Sequence, residues 1–281
     1  MLARGTEMLA NALVAHSAVP AFATYNLEMV EAVTAAAEQT DRPVIMLAGV
    51  SHFHHAGRSA LISLALQAAH TSTAPVGVHL DHSRDLAEIE ECTKAGYSSV
   101  MVDGSHLPFE DNIALTRAAV AIARPAGVWV EAELGAVSGD EDVSTDATPP
   151  QTMTHPVEAA EFVERTGVDA LAVAVGNVHG LTSTPMYLDL QRLVAIQSAV
   201  PIPLVLHGAS GLPHQQLSAA IDCGVAKVNI NTELRQAYLA VVQKVLPEVL
   251  STHDSVVLRR AGREAVTNAA ARSIHALTGH L

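Results

Sequence analysis

The sequence predicts an α/β fold in which eight parallel strands close into a (β/α)8 TIM barrel. Eight short apolar runs alternate with longer Ala-rich segments of helical spacing, which is the order of elements that such a barrel requires. The runs are apolar almost throughout, as is typical of parallel strands that are covered on both faces. A doubly wound open sheet is the alternative, but no Gly-x-Gly-x-x-Gly motif follows the first run.

Each predicted strand is short and rich in Val, Ile, Leu and Ala. In chain order the strands span residues 19–23, 44–48, 76–80, 99–102, 128–132, 170–175, 202–206 and 226–230. Residues 1–16 are predicted to form a helix that covers the bottom of the barrel, and residues 254–279 a helical extension. Pro247 is expected to kink or end the helix before that extension. No linker interrupts the alternation, so residues 1–281 are predicted to form a single domain.

The composition describes a globular chain that can bury a large core. Of its 281 residues, 49% are hydrophobic and 16% are charged. The formal net charge is −13 and no basic stripe is present, which argues against nucleic-acid binding. A small phosphate group can still bind, because backbone amides and helix dipoles attract it whatever the total charge.

Targeting and redox signals predict a cytoplasmic protein with no membrane partner. The first residues include Glu7 and Asn11 where a signal peptide needs an apolar run, and no segment is long and apolar enough to span a bilayer. Cys92 and Cys223 are too few for a disulfide framework and fit a reducing compartment.

Polar residues collect where the predicted strands end. The carboxyl ends of barrel strands meet on one rim, where side chains from different strands can act together. His82, His179 and His207 each follow a strand, and two of them precede a glycine that leaves room for a ligand. Three imidazoles with an open fourth position suit a catalytic zinc ion, so the sequence predicts a zinc site. A hydrogen-bonded core histidine is the alternative at each position taken alone.

Two further groups of residues lie beside or near the predicted zinc site. Asp81 precedes His82 and places a carboxylate next to the metal, although aspartate–histidine pairs are also common structural features. The cluster of His52, His54 and His55 is interpreted as a solvated polar loop.

The loops after the last two strands have the character of a phosphate site. Residues 207–211 are rich in small side chains, which let consecutive backbone N–H groups converge on an anion. Residues 229–232 place Asn and Thr at a helix start one strand later. Either loop alone reads as an ordinary turn, but both loops beside a metal ligand favour a phosphorylated substrate.

A resemblance to a known family rests on six ordered stretches of the chain. They are His79-Leu-Asp-His82, residues 99–109, Val130-Glu-Ala-Glu-Leu-Gly135, residues 176–180, Leu206-His-Gly-Ala-Ser-Gly-Leu212 and residues 227–234. On these stretches the chain resembles the class II, metal-dependent fructose-bisphosphate and tagatose-bisphosphate aldolases over essentially its whole length. The tagatose-bisphosphate branch is the most similar.

The resemblance implies roles for the matching residues. It implies a general acid/base at Asp81, with Asn229 in the catalytic set, and a mobile-loop carboxylate at Glu141 that moves a proton at carbon. The implied zinc ligands are His82, His179 and His207, with Glu133 as an auxiliary metal position. The implied substrate contacts are Asn26, Gly180, Gly208, Ala209, Ser210, Asn229, Ile230, Asn231 and Thr232.

The implied reaction is reversible cleavage of fructose or tagatose 1,6-bisphosphate to dihydroxyacetone phosphate and glyceraldehyde 3-phosphate. Breaking a carbon–carbon bond beside a ketone leaves an enediolate, which Zn²⁺ stabilises as a Lewis acid. Asp81 would take the C4 hydroxyl proton in cleavage and return it in condensation. A monovalent cation near the phosphate, a place in glycolysis and a homodimer or homotetramer are also implied. Lys227 leaves a Schiff-base mechanism open, but its companions fit zinc better.

Several positions depart from the family pattern and keep two other functions open. A metal-dependent hydrolase on the same barrel would use the three histidines alone. A non-catalytic or chaperone-like subunit of a heteromeric aldolase is prompted by Ala23 and Gly49. Arg259 or Arg260 is a candidate for the second phosphate. The departures are Ala23, Gly49, Ser83, Asn177 and Val178.

Overall fold

Eight parallel strands form a closed barrel in which neighbours in sequence pair with each other and the last strand closes against the first. The computed structural model describes residues 1–139, 152–180, 182 and 186–279. The predicted fold class and all eight predicted strands are confirmed, with boundaries that differ by at most three residues. The strands are β1 (Val19–Ala23), β2 (Val44–Gly49), β3 (Val76–Ser83), β4 (Ser99–Val102), β5 (Trp129–Leu134), β6 (Ala170–Val173), β7 (Leu204–Leu206) and β8 (Val225–Ile230).

Helices connect these strands and cover the outside of the barrel. Among the described residues, no helix is long and apolar enough to cross a bilayer. A short 3₁₀ turn follows α6 at Arg124–Ala126. The helices are α1 (Glu7–Val14), α2 (Leu27–Thr40), α3 (Val50–Ala56), α4 (Arg58–Thr71), α5 (Leu86–Ala95), α6 (Phe109–Ala123), α7 (Pro156–Thr166), α8 (Leu190–Ala199), α9 (His214–Asp222), α10 (Thr232–Thr252) and α11 (Ser255–Thr278).

Side chains alternate between the two faces of the barrel wall, as β5 illustrates. Val130 and Ala132 face outwards and join the core that packs beneath the helices. Trp129 faces inwards and joins a second apolar cluster inside the barrel. Glu131 and Glu133 continue this inward row, because side chains two residues apart share a face of a strand. The inside of the barrel is therefore apolar near the start of β5 and charged near its end.

The bottom of the barrel is closed by α1, as predicted for the first residues of the chain. Met8, Leu9 and Ala12 of this helix are buried and pack against the inner cluster, which includes Val19 and Ile45. Leu9 has no exposed surface. The predicted covering helix is thus confirmed, and its apolar face seals the amino end of the barrel.

The predicted helical extension is confirmed as α11, which packs along α2 and α10 and buries Ile274 and Leu277. Pro247 does not end its helix, because α10 runs through this proline to Thr252. Proline removes one backbone hydrogen bond, whose acceptor would be the carbonyl of Gln243. Both residues are exposed, so water can take the place of the missing donor.

The interpretation of residues 52–55 as a solvated loop was also wrong. These residues lie in α3, and His52 is only 3% exposed. Its Nδ1 accepts a hydrogen bond from the backbone N–H of Gly49 at 3.0 Å, which caps the start of the helix. His54 and His55 are exposed. His52 is therefore a buried residue that caps α3, although its neighbours His54 and His55 are exposed.

Candidate active site at the carboxyl end of the barrel

The predicted site residues gather on one rim of the barrel, where the strands end. Asp81 and His82 lie in the last part of β3, and His207 follows β7 directly. His179 follows β6, and Asn229 lies near the end of β8. Residues that are far apart in sequence therefore meet in a single region of the fold.

A local distortion of β3 lets Asp81 and His82 act at the same place. Consecutive side chains of a regular strand point to opposite faces, so one of the pair would otherwise face the helices. The pairing of β3 with β4 shifts register between Leu80 and Ser83, and His82 has a left-handed φ of 41°. Such a conformation is uncommon for a non-glycine residue and is often found at functional sites.

Three imidazoles converge above the barrel. One ring nitrogen from each of His82, His179 and His207 lies within 4.8 Å of the others. The ring centroids are 4.6 to 6.0 Å apart, and the rings meet edge to face. This donor set fits a catalytic zinc ion, which takes three protein ligands such as imidazoles and keeps a fourth position open for substrate.

Carboxylates behind two of these imidazoles orient them. Glu131 Oε1 lies 2.8 Å from His207 Nε2, and Asp103 Oδ2 lies 3.4 Å from His82 Nδ1. The opposite ring nitrogens, His82 Nε2 and His207 Nδ1, then face each other at 2.8 Å. Metal-binding histidines usually donate their second N–H to a carboxylate in this way. The arrangement therefore leaves two ring nitrogens directed at the place where a metal would bind.

The two carboxylates are held in the charged form. Burial alone would raise the pKa of Glu131, but the Lys227 ammonium and the hydrogen bond to His207 hold that pKa well below its ordinary value. Burial likewise opposes ionisation of Asp103, and its hydrogen bonds with His82 and Ser105 bring its pKa far below the usual range. Both groups can therefore accept hydrogen bonds at neutral pH.

A second set of potential metal ligands shares His82. It adds Asp103 and Glu133, whose ligand atoms also lie within 4.8 Å of one another and of His82. These three residues and His179 line a cavity of about 290 Å³. Glu133 Oε1 accepts from the backbone of Val137, whereas its Oε2 is buried without a hydrogen-bond partner among the described residues. Glu133 thus lies where an auxiliary metal contact was predicted.

Asp81 is 2% exposed and contacts other polar side chains within the barrel. The amide nitrogen of Asn229 lies 3.3 Å from Asp81 Oδ1 and 3.3 Å from His207 Nδ1. The ring of His79 lies below, with Nε2 3.9 Å from Asp81 Oδ1. Burial and then the Lys227 ammonium lower the pKa of His79 well below its usual value, so this ring is neutral at pH 7.

The loops after β7 and β8 line a common cavity of about 210 Å³, which includes Ala209, Asn229 and Ile230. Gly208 has a φ of 57°, and a Cβ atom added there would lie 2.4 Å from the carbonyl oxygen of Val178. Only glycine fits such a position without displacing the neighbouring loop. The hydroxyl of Ser210 donates to Glu233 at 2.9 Å, so a carboxylate borders this region.

Local contacts explain several of the other residues that the sequence singled out. Asn26 Oδ1 accepts from the backbone of Met29 and caps α2. Ser83 is fully buried, its hydroxyl contacts the backbone of Asp85, and its carbonyl accepts from Asp103, which holds the turn before α5.

Three other residues that the sequence singled out are Gly49, Arg259 and Glu141. A side chain at Gly49 would place its Cβ 2.9 Å from the carbonyl oxygen of Asp81, so this close approach of β2 and β3 requires glycine. Arg259 pairs with Glu28 at 2.6 Å. Glu141 lies outside the described residues, so its predicted role is not addressed by the structure.

The metal, catalytic and substrate contacts predicted from the sequence did not include Glu131, Lys227 and Tyr25, which lie at the site. Glu131 and Lys227 form the charged centre of the barrel, with 2.9 Å between Glu131 Oε2 and Lys227 Nζ. The hydroxyl of Tyr25 donates to Asn231 at 2.8 Å, and its ring lies 4.2 Å from that of His52. In β5, Trp129, Glu131 and Glu133 alternate with apolar residues, and this pattern could have predicted that Glu131 faces into the barrel. No sequence signal connects Tyr25 with Asn231.

Comparison with known proteins agrees with this geometry. A family model for class II fructose-bisphosphate aldolase matches residues 3–280. The chain belongs to this family. Membership implies an aldehyde-lyase and confirms the resemblance drawn from the sequence motifs.

Solved structures of similar proteins cover nearly the whole chain. The YdjI aldolase of Escherichia coli K12 is 36% identical, with a TM-score of 0.89 over 99% of this chain and 97% of that one. A Coccidioides immitis protein described as a candidate fructose-1,6-bisphosphate aldolase is 33% identical, with a TM-score of 0.90 over 98% and 96%. A Campylobacter jejuni fructose-bisphosphate aldolase, 23% identical with a TM-score of 0.83 over 98% and 95%, shares the fold.

Proposed function

We propose that this class II aldolase reversibly cleaves a ketose 1,6-bisphosphate, fructose or tagatose 1,6-bisphosphate, to dihydroxyacetone phosphate and glyceraldehyde 3-phosphate. One observation supports the proposal above all others: three imidazoles converge next to a buried carboxylate, Asp81. The metal-binding group and the proton carrier of an aldol reaction must be adjacent, since the bond that breaks joins the ketone half to the carbon that bears the reacting hydroxyl.

Zinc is the proposed cofactor, held by His82, His179 and His207. When bound, the ion would supply Lewis-acid stabilisation of the negative charge that develops on the ketone half, worth several kcal/mol. Glu131 and Asp103 would keep the two imidazoles they contact in the correct orientation. Glu133 is proposed as an auxiliary contact, because it lines the same cavity as His82 and its buried Oε2 has no hydrogen-bond partner among the described residues.

Asp81 is the proposed general acid/base. In cleavage its carboxylate takes the proton of the C4 hydroxyl as the bond between C3 and C4 breaks, and in condensation it returns that proton. Asn229 directs its amide NH₂ group at Asp81, which stabilises the carboxylate form that accepts the proton in cleavage. We propose Glu141 as the group that moves a proton at carbon, as the family resemblance implies.

The phosphate of the ketone half is proposed to bind at the two adjacent loops after β7 and β8. Small residues there leave backbone N–H groups accessible, and the start of α10 adds the positive end of a helix dipole. The proposed contacts include the predicted ones at Asn26 and Gly180, and a monovalent cation could balance charge near Glu233. The proposed residues of the two loops are Gly208, Ala209, Ser210, Asn229, Ile230, Asn231 and Thr232.

The chain is also proposed to form a homodimer or homotetramer in the cytoplasm. Leu239, Leu246 and Leu250 of α10 are exposed apolar side chains, which favours association with a second copy. Light scattering coupled to size exclusion would report the number of copies. A monomer at micromolar concentration would contradict this part of the proposal.

A coupled assay for both triose phosphates tests the reaction itself. The purified, zinc-loaded chain should cleave fructose or tagatose 1,6-bisphosphate, and EDTA should abolish cleavage until zinc is restored. Comparing kcat/KM for the two sugars would assign the preferred C4 configuration. Release of inorganic phosphate without triose formation would favour a hydrolase, and a metal content near zero together with no cleavage would favour a non-catalytic subunit.

A further inference from the structure

Lys227 is a fully buried lysine near the end of β8. Its ammonium contacts two groups, Glu131 Oε2 at 2.9 Å and Asn229 Oδ1 at 2.7 Å. Burying an ammonium costs several kcal/mol unless it is well paired, so these contacts hold the side chain in one position. The charge therefore lies between two polar groups that both reach the rim.

Glu131 and Asn229 each contact a different residue of the candidate site. Through Glu131 the contacts lead to His207, whose Nε2 lies 2.8 Å from Glu131 Oε1. Through Asn229 they lead to Asp81, whose Oδ1 lies 3.3 Å from the amide nitrogen. One ammonium thus connects a predicted zinc ligand with the proposed proton carrier.

We propose that Lys227 is a positioning residue that orients both His207 and Asn229 for the reaction. The part that concerns Asp81 depends on the function proposed above, whereas the part that concerns His207 depends only on metal binding. Lys227 itself contacts neither the metal nor the substrate in this role.

The chemistry of the donors and acceptors gives the reason. An ammonium can only donate, so Asn229 must direct its carbonyl oxygen at Lys227 and its NH₂ group at Asp81. Without the ammonium the amide could turn over and present its oxygen to the carboxylate, which is repulsive. Glu131 would likewise become a buried carboxylate with no cation beside it, so nothing would hold its Oε1 in place against His207 Nε2.

The same contacts argue against Lys227 as a Schiff-base nucleophile. A nucleophilic lysine needs a neutral amine, which a hydrophobic pocket or a neighbouring cation favours. Lys227 Nζ instead lies 2.9 Å from Glu131 Oε2 and 2.7 Å from Asn229 Oδ1, and an attack on a carbonyl group would break both contacts. The geometry therefore gives no support to the lysine mechanism that the sequence left open.

The first test replaces the ammonium by an apolar side chain of similar length, Lys227→Met. Zinc affinity, measured by competition with a chelator, should fall about 10- to 100-fold, as when other groups that orient metal ligands are removed. The absorption spectrum of the Co²⁺-loaded protein should change, because His207 is no longer held in place. With fructose or tagatose 1,6-bisphosphate as substrate, kcat should fall about 10²-fold and KM should change by less, since Asn229 is one of several proposed substrate contacts.

A second variant separates positioning from charge balance. Lys227→Met with Glu131→Gln removes both buried charges, so the thermal stability lost in the single variant should largely return. The loss in kcat should persist, because nothing then orients Asn229. Return of kcat to the parent value in the double variant would show that Lys227 merely neutralises Glu131, and would overturn the proposal even if the single variant does not fold.

Arg58→Met is the matched control, because Arg58 pairs at 2.5 Å with Glu88, a carboxylate that is only 5% exposed and lies in α5, outside the barrel wall. It should lower stability but leave zinc affinity, the Co²⁺ spectrum and kcat unchanged. An unchanged Co²⁺ spectrum in Lys227→Met would overturn the proposal for His207. If the parent protein binds zinc but cleaves neither sugar, the proposed aldolase reaction is wrong. The Co²⁺ spectrum of Lys227→Met still tests whether Lys227 positions His207.

Discussion

The two ends of the barrel interior are built from the same eight strands but contain opposite kinds of side chain. At the amino end, Val19, Ile45 and Trp129 form an apolar cluster that Leu9 of α1 closes from below. At the carboxyl end, every strand contributes to a rim that is rich in imidazole and carboxylate groups. Stability and chemistry are therefore separated along the barrel axis.

This difference explains why the charged layer is so fully paired. Water cannot reach the middle of the barrel from the closed end, so Glu131 and Lys227 must satisfy each other. The apolar layer makes no such demand and depends on packing alone. Changes at the rim should alter metal binding and turnover, whereas changes at the bottom should alter the free energy of unfolding.

The largest effect is expected for His179→Ala at the rim. Loss of one of three ligands should bring the zinc content close to zero and remove a stabilisation of several kcal/mol, which is a loss in kcat of roughly 10³-fold or more. Metal analysis and the triose assay would measure both. His54→Ala, an exposed histidine of α3, is the control and should change neither. Full zinc content in His179→Ala would remove His179 from the metal site.

Asp81→Ala should have the next largest effect. The variant should keep its zinc and lose about 10² to 10⁴-fold in kcat, which is the usual contribution of a general acid/base. Asp111→Ala, which removes an exposed carboxylate of α6, should leave the rate unchanged. Loss of zinc from Asp81→Ala would mean that Asp81 supports the metal site and does not carry the proton.

At the opposite end, Leu9→Ala should destabilise the fold by about 2 to 5 kcal/mol, since it leaves a cavity against the inner apolar cluster. Urea unfolding would measure this change, and kcat for the folded protein should equal that of the parent. Val14→Ala on the same helix is 85% exposed in the parent and should cost less than about 0.5 kcal/mol. A drop in kcat for Leu9→Ala would contradict the separation of the two ends.

The smallest effect is expected for Asp103→Asn, which weakens the hydrogen bond to His82 Nδ1. Zinc affinity should fall about 10- to 100-fold with the ligands themselves intact. Asp169→Asn is the comparison at the amino end, where Asp169 Oδ2 accepts from the backbone of Val130 at 2.8 Å. That variant should bind zinc as the parent does, and equal losses in both variants would point to a global effect.

The fold could be predicted from the sequence because outward-facing strand residues are almost all apolar. The boundaries were less accurate at the rim, where β3 extends to Ser83 and not only to Leu80. A hydrophobic run in the sequence stops at the first polar residue, even where the backbone hydrogen bonds of the strand continue. Polar side chains that face into the barrel therefore make a strand look shorter in the sequence than it is in the structure.

The candidate site was predictable only in part, for a related reason. His82, His179 and His207 stood at strand ends, where the barrel geometry brings them together. Lys227 and Glu131 lie within strands, and pairing them requires knowing which face each side chain occupies. His52 was misread because a cluster of histidines looks solvated, although only His54 and His55 of this cluster are exposed.

The close contact at Gly208 has a consequence for enzyme engineering. Because any side chain there would collide with Val178 and with the backbone of His179, a mutation meant to reshape the phosphate loop would displace a proposed zinc ligand as well. Libraries that aim at new sugar acceptors should leave this position constant.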